Sequence, residues 1–281
     1  MSARPAYDLA SMLPEGGSGP DGRRIGRSMR LVGKVALVTG GSSGIGRAVC
    51  VALSAEGASV VVAGRDEQRA RAVTQAILEG GGRALTVRCD VRSENDCERA
   101  VERTIEEFGR LDVLFNNAGI IYRAKTTTET SPEEWDETFA VNARGTYLMS
   151  RFALPYLAET RGVIVNNASY LGLVGGRGVA AYAASKGAVV LLTKAMALDH
   201  ANEGVRVNCV CPGSVETPML VGEMAALGGG DEVRPAFEAK HPLGRIATPD
   251  EIARAVVFLA SDEASFVTGA ALPIDGGITA G

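Results

Sequence analysis

The sequence has few of the residues that several classes of functional site require. It has two histidines and five cysteines, so a zinc site with the usual Cys/His spacing is not expected, nor any other metal site. The formal net charge of −4 gives no global basic field for nucleic acid or an anionic membrane. No apolar run approaches the ~20 residues that a membrane-spanning helix needs. These features predict a soluble, cytoplasmic protein with free, buried thiols.

The first 28 residues differ in composition from the rest of the chain. They are rich in Gly, Pro, Ser and Arg and lack the apolar core of a signal peptide, so we expect a disordered extension. Met29 directly precedes the first strand-like run, which suggests it as the natural start. Residues 29–281 should form one domain. Within it, residues 219–244 contain three consecutive glycines and two prolines, and we expect this candidate lid to be flexible and to cover a substrate.

Seven short apolar stretches alternate with segments of helical periodicity. They are residues 35–39, 59–63, 84–88, 112–115, 163–166, 206–210 and 271–274. Most are continuously apolar, as strands buried on both faces of a parallel sheet are. Residues 93–108 have one apolar helical face, with Ser93 as N-cap and Gly109 just past the end. The alternation predicts an α/β fold, a single doubly wound Rossmann domain with a seven-stranded parallel sheet flanked by helices.

A glycine-rich turn follows the first strand. Glycines at a strand-to-helix turn let the backbone approach a pyrophosphate, which the free N–H groups and dipole of the helix N-terminus attract. The spacing is not G-x-G-x-x-G, so by itself the turn is also compatible with a purely structural role. The expected cofactor contacts here are Gly40, Ser42, Ser43, Gly44, Ile45 and Gly46.

The second strand ends in Gly64, Arg65 and Asp66. In such folds this position reaches the adenosine ribose, where an acidic residue favours a free 2′-hydroxyl. Gly64 occupies the expected acidic position, and the guanidinium of Arg65 suits a 2′-phosphate. The sequence therefore favours NADP(H) over NAD(H). The alternative is that Arg65 is a solvated residue paired with Asp66.

Two further segments follow strands at the edge of the sheet where ligands bind in this fold class. Asp90 and Val91 follow the third strand, and Asp90 is expected to accept a hydrogen bond from the adenine amino group. Asn117, Ala118 and Gly119 follow the fourth, and their small side chains would let backbone lie against a ribose.

Ser169, Tyr182 and Lys186 form the candidate catalytic set. Tyr182 and Lys186 are four residues apart in the helix predicted over residues 180–200, so they share a face. A phenol has a pKa near 10, and a neighbouring ammonium together with an oxidised nicotinamide would lower that pKa by about 2–3 units. Ser169 would bind the substrate oxygen beside the phenol. The alternative is a purely structural role, with Tyr182 as a core residue and Lys186 as a surface residue on the same helix.

Taken together, these motifs resemble the short-chain dehydrogenase/reductase family in order and spacing over residues 30–281. They are residues 39–46, residues 116–119, Asn142, Ser169, Tyr182-x-x-x-Lys186 and Pro212-Gly213. The resemblance implies that Tyr182 is the acid/base and that Lys186 binds the nicotinamide ribose and lowers the phenol pKa. It also implies that Ser169 stabilises the substrate oxygen and that Asn142 holds a proton-relay water near the lysine.

The resemblance also implies where the nicotinamide and the substrate bind. Asn117 looks like a cofactor-side residue, and the segment expected to line the nicotinamide contributes Pro212, Gly213, Val215 and Thr217. The substrate pocket is expected to be formed by Ile121, Tyr170, Leu171 and Met219, with Arg123 and Arg177 at its rim.

The implied activity is NAD(P)-dependent interconversion of a secondary alcohol and a ketone by hydride transfer, with a hydrophobic or cyclic substrate favoured. An anionic substrate, making the protein a 3-oxoacyl-thioester reductase, stays open because of the rim arginines, and a polyol or sugar comes third. A dinucleotide-binding sensor without catalysis would have a damaged catalytic set, whereas all four residues are present. Small and apolar residues in the helices at 132–157 and 180–200 suggest a homotetramer or homodimer, unless those faces only pack on the sheet.

Overall fold

The computed structural model describes residues 29–281, so the predicted disorder of residues 1–28 lies outside the described residues. Within the described range, seven strands form one parallel sheet in the order β3-β2-β1-β4-β5-β6-β7. The strands are β1 (Val35–Thr39), β2 (Ser59–Gly64), β3 (Arg83–Arg88), β4 (Val113–Asn116), β5 (Val163–Asn167), β6 (Arg206–Pro212) and β7 (Ala271–Ile274). All seven predicted strands are present. The predicted fold class is confirmed.

Nine α-helices accompany the strands of residues 29–281. They are α1 (Gly44–Ala55), α2 (Glu67–Glu79), α3 (Glu94–Phe108), α4 (Pro132–Phe139), α5 (Gly145–Thr160), α6 (Ala180–His200), α7 (Pro218–Ala226), α8 (Gly230–Glu238) and α9 (Pro249–Ala260). The predicted caps of α3 are confirmed, because the Ser93 side chain accepts from the Asp96 N–H and Gly109 adopts a left-handed conformation with φ of 74°. A π-helical turn, Ala140–Arg144, joins α4 to α5.

The central strands of the sheet are buried on both faces, which explains their continuous apolar sequences. Ala36 and Val38 of β1 pack in one core with α1, α2 and α9, whereas Leu37 between them packs in a second core with α3, α5 and α6. Successive strand residues point to opposite faces, so both sets must be apolar. The five cysteines are buried and free.

The strand order places the binding crevice. β1 lies between β2 and β4, so the chain reverses its direction of travel across the sheet there. In open α/β sheets ligands bind outside the carboxyl ends of the strands at such a point.

The candidate lid contains two short helices, α7 and α8. They share a small core of Leu220, Met224 and Phe237, with Ile246 from the following segment. Thr217 caps α7 by accepting from the Leu220 N–H. The candidate lid is therefore largely helical, and its role in covering a substrate stays a prediction.

Candidate active site

A cleft of about 700 Å³ opens at the carboxyl edge of the sheet. Its lining runs from Arg65 and Asp90, after β2 and β3, past the glycine turn after β1. It continues to Tyr182 and Lys186 on α6. The residues predicted separately for cofactor and chemistry thus line one continuous space.

The glycine turn requires its glycines for steric reasons. Gly40 and Gly44 have φ of 61° and 51°, a region that L side chains rarely adopt. A Cβ on Gly46 would lie 2.2 Å from the Gly40 carbonyl oxygen and 2.5 Å from Nδ2 of Asn117. Gly46 is not among the residues that line the cleft, and its predicted cofactor contact stays a prediction. Gly46 allows α1 to pack tightly against the turn.

The start of α1 suits a pyrophosphate group. Its N-cap, Ser43, makes no side-chain capping bond, and its first turn contains no acidic residue. Ser43, Gly44 and Ile45 line the cleft, so the N–H groups of this first turn are available to an anionic ligand there. These residues, together with Ser42, would hold the pyrophosphate of a dinucleotide cofactor.

Asn117 fixes the turn from the opposite side. Its Nδ2 donates to the carbonyl oxygens of Thr39 and Gly40 at 3.0 and 3.1 Å, and its Oδ1 accepts from Nδ2 of Asn167 at 3.0 Å. Asn117 therefore ties the ends of β1, β4 and β5 together. Ala118 and Gly119 line the cleft, as expected for a ribose contact.

At the adenosine end, Arg65 lines the cleft, is exposed, and makes no hydrogen bond or salt bridge within residues 29–281. Asp66 instead caps α2 by accepting from the Arg69 N–H at 3.0 Å and pairs with Arg69 Nε at 2.5 Å. These hydrogen bonds lower the pKa of Asp66. The alternative pairing of Arg65 with Asp66 is absent from the structure.

Asp90 and Val91 line the cleft near the same end. The Asp90 carboxylate is held by Arg92, with Nε at 3.0 Å from Oδ1 and Nη2 at 2.6 Å from Oδ2. Hydrogen bonds from Arg92 keep the pKa of Asp90 low, so it stays an anionic acceptor. Its predicted bond to the adenine remains a prediction.

The catalytic set converges from two elements. Ser169 follows β5, and Tyr182 and Lys186 lie on the same face of α6, and all three line the cleft. The Ser169 hydroxyl accepts from the Leu171 N–H at 3.2 Å and acts to lower the pKa of the Tyr182 phenol. Lys186 is buried, its Nζ donates to the Asn167 carbonyl at 2.6 Å, and it lies 5.7 Å from the centroid of the Tyr182 ring.

In the chain without cofactor, burial dominates the pKa values of Tyr182 and Lys186. Burial raises the pKa of Tyr182 to about 12, and only the hydrogen bond from Ser169 and the charge of Arg123 oppose this. Burial also lowers the pKa of Lys186 to about 8. In the chain alone desolvation dominates, and Lys186 Nζ is directed to Asn167. The expected lowering of the phenol pKa, which includes the charge of an oxidised nicotinamide, stays a prediction.

Asn142 lies in the π-helical turn and is completely buried. Its Oδ1 accepts from the Ile120 N–H at 2.9 Å, and its Nδ2 donates to the Ile120 carbonyl and to the Ser185 hydroxyl, both at 3.0 Å. These bonds fix the loop after β4 against α6, next to Lys186. Asn142 does not line the cleft, and its proton-relay role stays a prediction.

The segment after β6 supplies a further wall. Pro212, Gly213, Val215 and Thr217 line the cleft as predicted. Sequence reasoning missed His241, which is buried, accepts from the Ser214 N–H at 3.0 Å through Nε2 and lies with Nδ1 2.9 Å from the Phe237 carbonyl. It links the end of α8 to this segment.

Tyr170, Leu171 and Met219 line the cleft, and from the loop after β4 Ile120 lines it whereas Ile121 does not. The loop lies within residues 120–125, from which substrate specificity is expected, and the part of these residues in substrate binding stays a prediction.

Sequence reasoning missed the buried ion pair of Arg123 and Glu223 at this end of the cleft. The available signal was an acidic residue between Leu220 and Met224 on the apolar face of α7.

Comparisons with known proteins agree with this geometry. The family model described as Enoyl-(Acyl carrier protein) reductase matches residues 40–279. The chain is 44% identical over 252 residues to meso-2,3-butanediol dehydrogenase of Serratia marcescens, covering 90% of this chain and 97% of that protein. It is 44% identical over 252 residues to cyclopentanol dehydrogenase of Comamonas sp., covering 89% and 99%. The crystal structure of levodione reductase matches with a TM-score of 0.87 at 37% identity, covering 89% and 99%.

The chain belongs to the short-chain dehydrogenase/reductase family. It is an oxidoreductase that acts on CH–OH groups with NAD(P) as acceptor. Within residues 29–281, no helix has both the length and the apolar character to cross a bilayer. The same range contains no cluster of three potential metal-ligating side chains.

Proposed function

We propose that the protein interconverts a secondary alcohol and a ketone, with NADP(H) preferred and Tyr182 as acid/base. The observation that carries the proposal is the meeting of Ser169, Tyr182 and Lys186 in the same cleft as the glycine turn. A phenol, a hydroxyl and an ammonium are arranged there beside a pyrophosphate-binding surface.

The dinucleotide, when bound, supplies the hydride acceptor or donor. The chain handles the proton. The Ser169 hydroxyl holds the substrate oxygen, and the Tyr182 phenol takes the proton from the alcohol or returns it to the ketone oxygen. Lys186 supplies the positive charge that the phenolate needs, once its Nζ leaves the Asn167 carbonyl for a ribose.

The NADP(H) preference is supported by Arg65 and Asp66. The Arg65 guanidinium faces the cleft without a salt-bridge partner within the described part of the chain, whereas the Asp66 carboxylate is engaged by Arg69. A 2′-phosphate would give Arg65 a charge-assisted partner. No carboxylate occupies position 64 to repel it.

For the substrate, the lining offers a mixture of apolar and aromatic side chains in Ile120, Tyr170, Leu171 and Met219. Two similar proteins are named for butanediol and cyclopentanol, both small neutral secondary alcohols. A small, neutral aliphatic or cyclic secondary alcohol or its ketone therefore fits best.

We also propose a cytoplasmic homotetramer or homodimer. Tyr147 on α5 is 46% exposed, and Leu191 and Leu198 on α6 are 67% and 81% exposed. Apolar groups this exposed on adjacent helices fit a subunit interface. Light scattering should show an oligomer, and a monomer at micromolar concentration would contradict this part of the proposal.

The activity is tested by following reduced nicotinamide absorbance with NADP⁺ or NAD⁺ and a panel of cyclic and acyclic secondary alcohols. The wild type should oxidise at least one alcohol, with higher kcat/KM for NADP⁺. Tyr182→Phe should bind the dinucleotide normally and lose at least about 10²-fold in kcat. Tyr156→Phe removes a phenol outside the cleft and is the matched control. Retained activity in Tyr182→Phe would contradict the assignment.

A further inference from the structure

A buried ion pair closes the substrate end of the cleft. Nε of Arg123, in the loop after β4, lies 2.6 Å from Oε2 of Glu223 on α7, and the two side chains are 17% and 8% exposed. Both residues line the cleft that contains Tyr182. The pair thus joins the candidate lid to the loop that follows the cofactor-side residues 117–119.

Packing alone does not account for these charges. Glu223 lies between Leu220 and Met224, which belong to the apolar core of the candidate lid together with Phe237. Desolvating two charges is costly, and a well-packed apolar pair in such a place is often equally or more stabilising. A buried ion pair kept inside a substrate cleft is therefore a candidate recognition element.

The pair has unused hydrogen-bonding capacity. Arg123 Nε and Glu223 Oε2 are close but not aligned as a hydrogen bond, and both atoms are buried without another partner. Among the described side chains, no hydrogen bond is found from the Nη groups of Arg123 or to Oε1 of Glu223. The site therefore offers free donors and a free acceptor side by side.

The pair also faces the reacting groups. Glu223 raises and Arg123 lowers the pKa values of both Tyr170 and Tyr182, so the two charges lie within electrostatic reach of the catalytic phenol. The next cation, Lys240, does not line the cleft and is 4.5 Å from the Phe237 ring centroid. Burial raises the pKa of Glu223, and the charge of Lys240 contributes to lowering it.

We infer that Arg123 and Glu223 recognise a second hydroxyl on the substrate, so that the enzyme prefers neutral diols or hydroxyketones to monoalcohols. A hydroxyl can donate to the Glu223 carboxylate and accept from the Arg123 guanidinium at once. The Arg123–Glu223 pair has no net charge and therefore suits a neutral group. A carboxylate or phosphate on the substrate would be repelled by the Glu223 carboxylate. This inference rests on the proposed alcohol dehydrogenase function.

The test compares cyclohexanol with the 1,2-, 1,3- and 1,4-cyclohexanediols. Each diol has the same ring as cyclohexanol and one additional hydroxyl. For the wild type with NADP⁺, the best diol should exceed cyclohexanol in kcat/KM by about 10- to 100-fold, the range expected for hydrogen bonds to charged groups. Glu223→Gln should lose most of that ratio, because kcat/KM should fall further for the diol than for cyclohexanol.

Glu223→Gln leaves Arg123 buried without its counterion and could therefore destabilise the fold. A second variant keeps the inference testable in that case. Arg123→Met combined with Glu223→Leu removes both charges with apolar side chains, and its diol-to-cyclohexanol ratio should fall to about one or below. Glu238→Gln is the control, because it breaks an ion pair with Arg234 in the candidate lid outside the cleft. It should leave the ratio unchanged.

The outcomes separate the two proposals. No turnover of any of these alcohols by the wild type, with dinucleotide bound, would overturn the proposed function and this inference with it. Turnover with a wild-type ratio near one, or equal losses on both substrates in Glu223→Gln, would overturn only the inference. A preference for a hydroxy acid over the diols would also overturn it.

Discussion

Replacement of Gly46 by alanine probes the packing that shapes the glycine turn. The added Cβ would lie 2.2 Å from the Gly40 carbonyl oxygen and 2.8 Å from the Gly40 carbonyl carbon, distances that real Cβ atoms do not show. The obstacle is backbone, so the turn or the start of α1 must shift. Nδ2 of Asn117, at 2.5 Å, would also be displaced from its bonds to the turn.

We expect Gly46→Ala to lower the free energy of unfolding by about 1–3 kcal/mol, the usual cost of overpacking. Dinucleotide affinity should fall at least tenfold, because Ser43, Gly44 and Ile45 move with the turn. Urea unfolding and calorimetric titration with NADP⁺ measure the two effects. Gly222→Ala is the matched control, since a Cβ there meets nothing within 4 Å and alanine favours the helix. Wild-type stability and affinity in Gly46→Ala would refute the steric reasoning.

Three further changes test separate parts of the structure. Arg65→Ala should weaken NADP⁺ binding about 10- to 100-fold and leave NAD⁺ nearly unchanged, by titration, because only the former carries the phosphate; equal loss for both would contradict the assignment. Asp112→Ala should destabilise by about 1–3 kcal/mol in urea, because the buried Val35 N–H loses its acceptor at 2.9 Å; an unchanged midpoint would be evidence against this. Glu251 closes a capping box with Thr248 and pairs with Arg245, which lowers its pKa to about 2 from an ordinary 4.5. The Glu251 carboxylate therefore contributes fully to the free energy of unfolding above pH 4.5, and this contribution is lost as the pH falls towards 2. Glu251→Gln should be less stable than wild type at pH 7 by about 1 kcal/mol, and the difference should vanish near pH 2. A difference in stability that does not change with pH would contradict this linkage.

The strands and the common position of Tyr182 and Lys186 on one helix face were predictable because each rests on a local rule. A strand buried on both faces is apolar at nearly every position, so the bounds of β1 could be predicted to the residue. The four-residue spacing of Tyr182 and Lys186 places them on one helix face wherever the helix packs. The capping of α3 by Ser93 follows equally local chemistry.

The features that were missed depend on long-range packing. Nothing near Glu223 in sequence shows that Arg123, a hundred residues earlier, will neutralise it. The role of Gly46 follows from how closely α1 approaches the preceding turn. The conformation of the loop after β4 depends on Asn142, which bonds to the Ile120 backbone from a distant part of the chain.

The pKa of the phenol in the chain without cofactor could not be read from spacing for a related reason. Sequence spacing gives the neighbour of Tyr182, but desolvation depends on the complete surroundings of its side chain. In the chain alone, burial outweighs the nearby lysine and raises the pKa of Tyr182 to about 12. Lowering it requires positive charge that arrives with the oxidised cofactor and a Lys186 ammonium released from Asn167.

The most direct test of the account is an ultraviolet difference titration of the phenolate, wild type minus Tyr182→Phe, with and without NADP⁺. Without the dinucleotide, the signal should appear only far above the ordinary phenol pKa of about 10. With NADP⁺ bound, it should appear below that value and coincide with the pH dependence of kcat for alcohol oxidation. A phenol that still titrates near pH 12 with NADP⁺ bound to an active enzyme would contradict Tyr182 as the base.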